Sequence, residues 1–281
     1  MKIRAYAKVN LALNVKGCLS NGYHDLEMCM VPVSIYDEIE IEIADKMEFI
    51  CNRKYLMHNP TNSLLKAIEL LRAKYHFTEN FRIVLNKHVP TKAGLGGGSS
   101  DGASIIKAVN KLLKLEMTDE DIKDLCLKLG ADVYFAYYNR PAFVSGIGDR
   151  ISFIDNNLKI RMVLVRPRHG VSTKKSYKNL DLSICEHPDV FKVIEALGTG
   201  NYQMLVENLG NSLEQPSFKL LSELALIKND LIENGADGVL MSGSGSTIFA
   251  ISNHYEILKK IEVKYRNLGY FATICEVLNE V

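Results

Sequence analysis

Nothing in the chain spaces cysteines for a metal or a staple. The six, Cys18, Cys29, Cys51, Cys126, Cys185 and Cys275, contain no C-x-x-C pair. Neither a zinc ribbon nor a disulfide framework is indicated, and the reduced thiols of a cytoplasmic protein fit best. No apolar run approaches the roughly 20 residues of a membrane span. An excess of one charge is missing too: 34 Lys and Arg against 33 Asp and Glu leave a net +1. That balance argues against nucleic acid or a membrane surface as a partner and leaves only local patches. The chain opens Met1-Lys2-Ile3-Arg4 and enters an alternating segment at once, so no signal-peptide core is expected. There is no internal repeat, low-complexity tract or long disordered linker. What is present is 281 residues of ordinary globular composition, 47% apolar and 24% charged. That suffices for one or two domains and a sizeable core.

The glycines are concentrated. Four of the five residues in Gly94-Leu95-Gly96-Gly97-Gly98 are glycine, and Ser99, Ser100 and Asp101 follow. Before this loop, Phe81-Arg82-Ile83-Val84-Leu85 reads as a strand. After it, Ala103, Ile105, Ile106, Val109, Leu112 and Leu113 recur at helical spacing. Glycine at positive φ lets the backbone approach a bulky anion, and the unpaired amides of a helix's first turn then face that anion. Ser99 and Ser100 add hydroxyls that can donate to it or reach a bound Mg²⁺. The loop is not a Walker A sequence, since no Lys-Ser/Thr follows the G-x-x-x-x-G frame. It is not the dinucleotide fingerprint either, because Ser99 stands where a third Gly or Ala belongs. A phosphate cradle and a plain flexible turn both fit, and the order strand, loop, helix favours the cradle.

Residues 2–16 and 30–43 alternate apolar with polar and read as strands. Lys8 and Asn10 share one face of the first; alone, such a pair is most often a strand's solvated side. Between the strands, Asn21-Gly22-Tyr23-His24-Asp25 joins an aromatic and an imidazole in what sequence physics reads as a surface turn. Asn59-Pro60-Thr61-Asn62-Ser63 is a turn and cap for a helix over about 63–75, with Leu64, Leu65, Ile68 and Leu71 as its buried stripe. Thr118-x-x-Asp121 is an acidic variant of a capping box, opening a helix whose inner face is Ile122, Leu125, Cys126 and Leu129. This helix ends at Gly130-Ala131-Asp132-Val133. Asp132 then lies past a helix C-terminus, poorly placed for the dipole: a solvated turn residue, or a deliberately placed carboxylate.

Character changes near residue 155. Asp155-Asn156-Asn157 is a turn and Ile160 to Val165 a fresh strand, so the boundary between two domains, 1–155 and 156–281, is placed there. Pro167-Arg168-His169-Gly170 leads into Val171-Ser172-Thr173, with Tyr177 on the same helical face as Thr173. Helices are expected over 188–197, 201–209, 217–234 and 254–268, and strands over 238–241, 248–251 and 270–277. Between the first two of these strands stands a second glycine-serine loop, Ser242-Gly243-Ser244-Gly245-Ser246-Thr247. On its own it is a tight hairpin; beside the first loop, a shared anion pocket gains ground.

Four motifs then stand in order: Ala5-Tyr6-Ala7-Lys8-Val9-Asn10-Leu11, Pro90 through Asp101, Gly130-Ala131-Asp132-Val133, and Met241 through Thr247. With them the chain resembles the GHMP superfamily of small-molecule kinases, essentially end to end. Gly22-Tyr23-His24, Pro32-Val33-Ser34-Ile35-Tyr36-Asp37, and Thr173 with Tyr177 narrow the likeness. They point to the branch that phosphorylates the 2-hydroxyl of a cytidine-diphosphate-linked methylerythritol in non-mevalonate isoprenoid synthesis. The resemblance implies an α+β fold in two halves, a ribosomal-protein-S5-domain-2-like ATP-binding half and a ferredoxin-like half. Three departures stand against the pattern: Tyr134 where Pro is usual, Gly102 where Ala is usual, and Asp149 where Glu is frequent.

The resemblance also implies roles. ATP donates the phosphoryl group, and its phosphates carry most of the Mg²⁺, since no all-protein carboxylate cage is evident. Asp132 matches the base, and Lys8 the cation that orients this carboxylate and stabilises charge on the transferring group. Asn10 orients the substrate. Pro90, Ala93, Gly94, Leu95, Gly96, Gly97, Gly98, Ser99 and Ser100 wrap the triphosphate, with Asn62 and Lys87 near the adenine. Tyr23 and Tyr177 sandwich the cytosine while His24 reads its edge. Thr173, Ser244 and Gly245 complete the substrate pocket. A cytoplasmic monomer or weak homodimer is expected. The competing expectations are a homoserine- or mevalonate-type acceptor on the same fold, or a nucleotide-binding paralogue with little turnover. A nicotinamide oxidoreductase is disfavoured by the missing third glycine and the lack of a βαβ repeat.

Overall fold

Two long strands lead the chain, β1 (Lys2–Cys18) and β2 (His24–Ala44). The computed structural model describes residues 1–281 apart from Asn21, His58, Pro60 and Thr61. The turns expected at 21–25 and 59–63 therefore fall partly outside the described residues. Compactness divides the chain into two units, neither of them contiguous. The first holds Met1–Ala7, Ile35–Thr91 and Gly96–Asn139; the second holds Lys8–Ser34, Lys92–Leu95 and Arg140–Val281. β1, β2 and the glycine loop each contribute to both, so residue 155, where the sequence changes character, lies within the second unit.

The first unit continues with β3 (Glu48–Cys51), α1 (Lys54–Met57), α2 (Ser63–Tyr75), β4 (Asn80–Asn86), α3 (Gly97–Leu113), α4 (Asp119–Leu129) and α5 (Ala131–Tyr138). β4 runs antiparallel to β2, from Glu38 opposite Asn86 to Ala44 opposite Asn80, and parallel to β3. Phe81, Ile83 and Leu85 take the alternate positions of β4 that are buried, as period 2 requires for a strand with one covered face. They meet Ile39 and Ile41 of β2 with Leu64, Ile68 and Leu71 of α2, Ile106 and Val109 of α3, and Ile122 and Leu125 of α4. The α2 stripe differs from expectation by one residue. Ala67 is buried and Leu65 only half-buried, because the positions three, four and seven after Leu64 lie along one face and Leu65 turns about 100° off it.

The capping box at α4 is formed in full. Thr118 Oγ1 accepts from the Asp121 amide at 3.2 Å, and Asp121 Oδ2 accepts from the Thr118 amide at 3.3 Å. α4 ends at Gly130, and α5 starts from the same glycine. Asp132 is thus not stranded beyond a helix C-terminus; it occupies the first turn of α5, where the dipole favours a carboxylate. Eight residues, apolar on nearly every side, give α5 no stripe to read in the sequence.

In the second unit β5 (Ala142–Gly146) and β6 (Arg150–Phe153) form a hairpin, with β5 antiparallel to β2. There follow β7 (Arg161–Arg166), α6 (Thr173–Lys178), α7 (Val190–Thr199), α8 (Tyr202–Asn208), β8 (Gly210–Asn211), α9 (Glu214–Leu220) and α10 (Glu223–Glu233). The chain closes with β9 (Gly238–Met241), β10 (Ile248–Ile251), α11 (Tyr255–Asn267) and β11 (Phe271–Glu276). β8 lies parallel to β1, with Ala12 opposite Gly210. The helix expected over 217–234 is two helices, broken where Leu221 is extended and Ser222 starts α10; the apolar spacing runs across the break and hides it.

Four antiparallel strands stand in the order β11-β7-β10-β9. Numbered along the chain that is 4-1-3-2, the ferredoxin-like arrangement. α10 packs on β9 and β10, and α11 on β7 and β11. Every residue of β9 and β10 is buried, so both faces of the sheet are covered at these two strands. Among the described residues no helix is long and apolar enough to cross a membrane.

Candidate active site

In the second unit β1 presents Lys8 and Asn10 on one face, and that face is not solvated. They are 5% and 1% exposed, and Lys8 Nζ donates to Asn10 Oδ1 at 2.7 Å. Two glycine segments close over them. The Lys8 amide donates to the Leu95 carbonyl at 3.0 Å, and the Asn10 amide to Ser242 Oγ at 3.3 Å. Ser242 Oγ in turn donates to the Gly94 carbonyl at 3.0 Å, and the Thr247 amide to the Ala93 carbonyl at 3.1 Å. Gly94 has φ +75, and a Cβ there would overlap the Ser242 carbonyl. A Cβ on Gly243 would lie 3.5 Å from both Lys8 Nζ and Asn10 Oδ1. Close backbone approach thus explains Gly94, while at Gly243 the φ of +57 is what favours glycine.

The second loop is a tight hairpin, and it is also part of this cluster. Ser242 and Thr247 close it by an amide-to-carbonyl bond of 2.9 Å. Asn211, which no sequence signal marked, holds it from behind: Nδ2 donates to the carbonyls of Met241 and Gly243 at 2.7 and 2.8 Å. Buried Glu214 accepts from the Met241 amide at 2.9 Å and from Lys228 Nζ at 2.5 Å. Thr173, at the start of α6, meets Ser244 hydroxyl to hydroxyl at 2.7 Å, and Ser217 Oγ donates to the Ser244 carbonyl at 3.1 Å. The expected substrate residues Thr173 and Ser244 are therefore neighbours, and Tyr177 follows on the same short helix. Tyr177 lies against His24, ring centroids 4.7 Å apart and tilted by 34°. Burial lowers the His24 pKa and favours the neutral ring. Tyr23 is 61% exposed. His24 and Tyr177 thus pair ring to ring, and Tyr23 precedes His24 in the chain.

In the first unit the glycine loop opens α3. Gly96, at φ +67, is the cap and has no side chain to satisfy the first-turn amides, which leaves that end of the helix open to an anion. Ser63 Oγ donates to the Gly98 carbonyl at 2.6 Å. Ser99 is half-exposed; Ser100 is buried, and its hydroxyl has no hydrogen-bond partner. Asn62 caps α2, Oδ1 accepting from the Leu64 amide at 3.0 Å, and its Nδ2 donates to the Leu56 carbonyl at 3.2 Å. Pro90 is half-buried ahead of the glycines. Lys87 is 3% exposed, and its ammonium is held by Asp37 at 2.5 Å and Asp101 at 2.6 Å. Asp132 is half-buried at the start of α5. Among the described residues no three His, Cys, Asp or Glu converge as a protein-built metal site needs.

The comparisons agree with this architecture. The family model of the GHMP kinases N terminal domain matches residues 62–140, and that of the GHMP kinases C terminal matches 193–270. A solved 4-(cytidine 5'-diphospho)-2C-methyl-D-erythritol kinase superposes with a TM-score of 0.84 at 29% identity, covering 99% of each chain. A homoserine kinase from Cytophaga hutchinsonii, at 17% identity, shares the fold with a TM-score of 0.74 over 99% of this chain and 95% of that one. The chain is a GHMP kinase, an ATP-dependent phosphotransferase. Relatives named 4-diphosphocytidyl-2-C-methyl-D-erythritol kinase in Bacillus cytotoxicus and Bacillus cereus are 36% and 35% identical to it. Both alignments run over 92% of this chain and 90% of the relative. Within the superfamily, it belongs to the family of those kinases.

Proposed function

We propose that this kinase transfers the terminal phosphoryl group of ATP to the 2-hydroxyl of 4-diphosphocytidyl-2-C-methyl-D-erythritol, releasing ADP. What carries this reading is 36% identity, over 92% of the chain, to a relative of that name. One phosphoester bond forms at the alcohol oxygen, the bond to ADP breaks, and the hydroxyl proton leaves to a base. Phosphoryl transfer asks a protein mainly for positioning and charge stabilisation. Asp132 takes the hydroxyl proton, and Lys8 offsets charge on the transferring group. Lys8 is already held by Asn10, which limits the rearrangement it needs.

Pro90, Ala93, Gly94, Leu95 and Gly96 through Ser100 hold the triphosphate, with the uncapped amides of α3 as donors. Asn62 serves the adenine side through the α2 cap it makes. Mg²⁺, when bound, supplies charge neutralisation on the phosphates, and the buried Ser100 hydroxyl with no partner is the group of this chain that fits beside it. Tyr23, His24 and Tyr177 receive the cytosine; Asn10, Thr173, Ser244 and Gly245 receive the rest of the substrate. The same reading places the enzyme in the cytoplasm, as a monomer or weak homodimer. The test is ADP release from ATP and Mg²⁺ with this substrate, beside mevalonate and homoserine. Turnover with either of the latter instead overturns the assignment.

A further inference from the structure

Beneath the glycine loop lies a buried ionic cluster that the chemistry above does not use. Asp37, near the middle of β2, is fully buried, and its two oxygens do different things. Oδ1 accepts from the amides of His88 and Val89 at 2.6 and 2.8 Å, where the chain leaves β4 and enters the loop. Oδ2 accepts from Lys87 Nζ. The same ammonium donates to Oδ2 of Asp101, one turn into α3, where the chain leaves the loop. One lysine thus joins the two stems of a loop whose entrance and exit are otherwise separate elements. The fit is close: a Cβ on Gly97, the first residue of α3, would lie 3.1 Å from Lys87 Nζ and 2.9 Å from Val89 Cγ1. Gly97 is the residue that lets the helix end sit on the ammonium.

We propose that Asp37 and Asp101, tied through Lys87, are positioning residues for the nucleotide: they fix the spacing of the loop stems, so that the first-turn amides of α3 face the phosphates at a set separation. The inference rests on the reading that this loop binds ATP. Core stability alone is a poor reason for such a cluster. Desolvating three charges costs so much that well-packed apolar side chains serve a core as well or better. The Asp101 Oδ1 oxygen is buried without a hydrogen-bond partner, a further cost that packing alone does not demand. Desolvation, partly opposed by Lys87 and reinforced by Asp37, pushes the Asp101 carboxyl up to about 7. Burial works to lower the Lys87 pKa, but the two carboxylates outweigh it and hold the ammonium charged. The titratable groups facing this cluster are Asp37 from β2, Lys87 after β4, Asp101 from α3 and the Cys51 thiol from β3, which burial keeps neutral.

The experiment compares full-length parent, Lys87→Met/Asp101→Leu and Asp101→Asn by thermal midpoint, ADP dissociation constant and the KM of each substrate. The apolar pair removes the tie and fills its space. It is expected to lower the thermal midpoint, because buried Asp37 keeps only its two amide donors, to weaken ADP binding and raise the ATP KM about tenfold, and to leave the KM of the second substrate in place. Asp101→Asn, which keeps an oxygen for the ammonium, is expected to recover ADP binding to within about threefold of the parent. It should also abolish the part of the parent's pH dependence in which ADP binding tightens as Asp101 ionises and grips the ammonium. A folded apolar pair that binds ADP as the parent does overturns the proposal. So does a loss of midpoint with both substrate constants shifting together, the mark of a merely structural cluster. Should Asp101→Asn retain the parent's pH dependence, the proposal fails even if the pair does not fold. A parent that binds no ADP sinks the kinase reading instead, which is a different result.

Discussion

Gly94 and Gly22 make a matched pair for testing how the two glycine loops are held together. Both have positive φ, +75 and +81, so alanine at either costs about 1–2 kcal/mol of left-handed backbone strain. They differ in surroundings: nothing lies within 4 Å of a Cβ on Gly22, whereas a Cβ on Gly94 overlaps the Ser242 carbonyl. That carbonyl accepts from the Gly245 amide at 3.0 Å, and the Ser242 hydroxyl bonds to the Gly94 carbonyl at 3.0 Å. Moving Ser242 aside forfeits both bonds, at about 1 kcal/mol each. Gly94→Ala is therefore expected to cost about 3–4 kcal/mol and Gly22→Ala about 1–2 kcal/mol. At about 2–4 °C per kcal/mol for a chain approaching this size, the thermal midpoints should separate by about 4–8 °C. Calorimetry of the unliganded proteins measures this directly. Midpoints for Gly94→Ala and Gly22→Ala that agree within about 2 °C would refute the idea that Ser242 occupies the space above Gly94.

Three further outcomes are expected. Asp132→Asn lowers kcat by at least about 10²–10⁴-fold, the scale of a lost general base, while ADP binding by calorimetry stays near the parent's; an active Asn variant removes Asp132 from that role. Tyr23→Ala raises the KM for the cytidine substrate about 5–150-fold, the equivalent of about 1–3 kcal/mol of base stacking, with the ATP KM unmoved; equal KM values for the cytidine compound before and after count against base stacking on Tyr23. The Asp121 carboxyl is held well below the usual carboxylate range by hydrogen bonds from Lys74, Tyr75 and Thr118. A carboxylate with a depressed folded-state pKa stabilises above its unfolded value of about 3.9 and loses that contribution as pH falls through the folded-state value. Denaturant titrations should therefore show the parent more stable than Asp121→Asn at pH 7, with the gap shrinking in acid below about pH 4; a gap independent of pH contradicts the ionic origin.

What the sequence made legible was local. The strand ahead of Gly94, the helix after it, the Thr118 capping box and the limits of β9 and β10 follow from period, capping chemistry and glycine placement. These signals act within a few residues. What stayed hidden depends on partners far along the chain. Asn10 meets Ser242 across 232 positions, and Lys87 meets Asp37 across 50. No spacing rule reports that Lys87 is buried between two carboxylates. Asn211 was invisible for a similar reason, since it sits in a two-residue strand whose only distinction is the loop it supports. Asp132 was recognised as a candidate by motif, yet its helix was missed, because eight residues without a polar face carry no period.

At Gly102, Tyr134 and Asp149, where the chain departs from the pattern its resemblance implies, neighbouring groups meet the residue present. A Cβ on Gly102 would stand 2.6 Å from Leu129 Cδ2 and 3.3 Å from Ser63 Cβ, so the methyl of the usual Ala is replaced by a leucine arriving from the end of α4. Tyr134 lies edge-on to Tyr138, centroids 5.5 Å apart, with the Lys123 ammonium 5.8 Å over its ring. That arrangement supports α5 through Tyr138 of the same helix and Lys123 of α4. Asp149 accepts from the Ile147 amide at 3.0 Å and so closes the turn between β5 and β6, where Gly146 and Gly148 take positive φ. Each substitution is met by a neighbour that fits it, and none of those contacts is made by a residue assigned here to the base, the phosphates or the cytosine. On the proposed assignment, a shift of acceptor would have to come from Asn10, Thr173, Ser244 and the His24–Tyr177 pair, which lie among the hydrogen-bonded and stacked groups of the second unit.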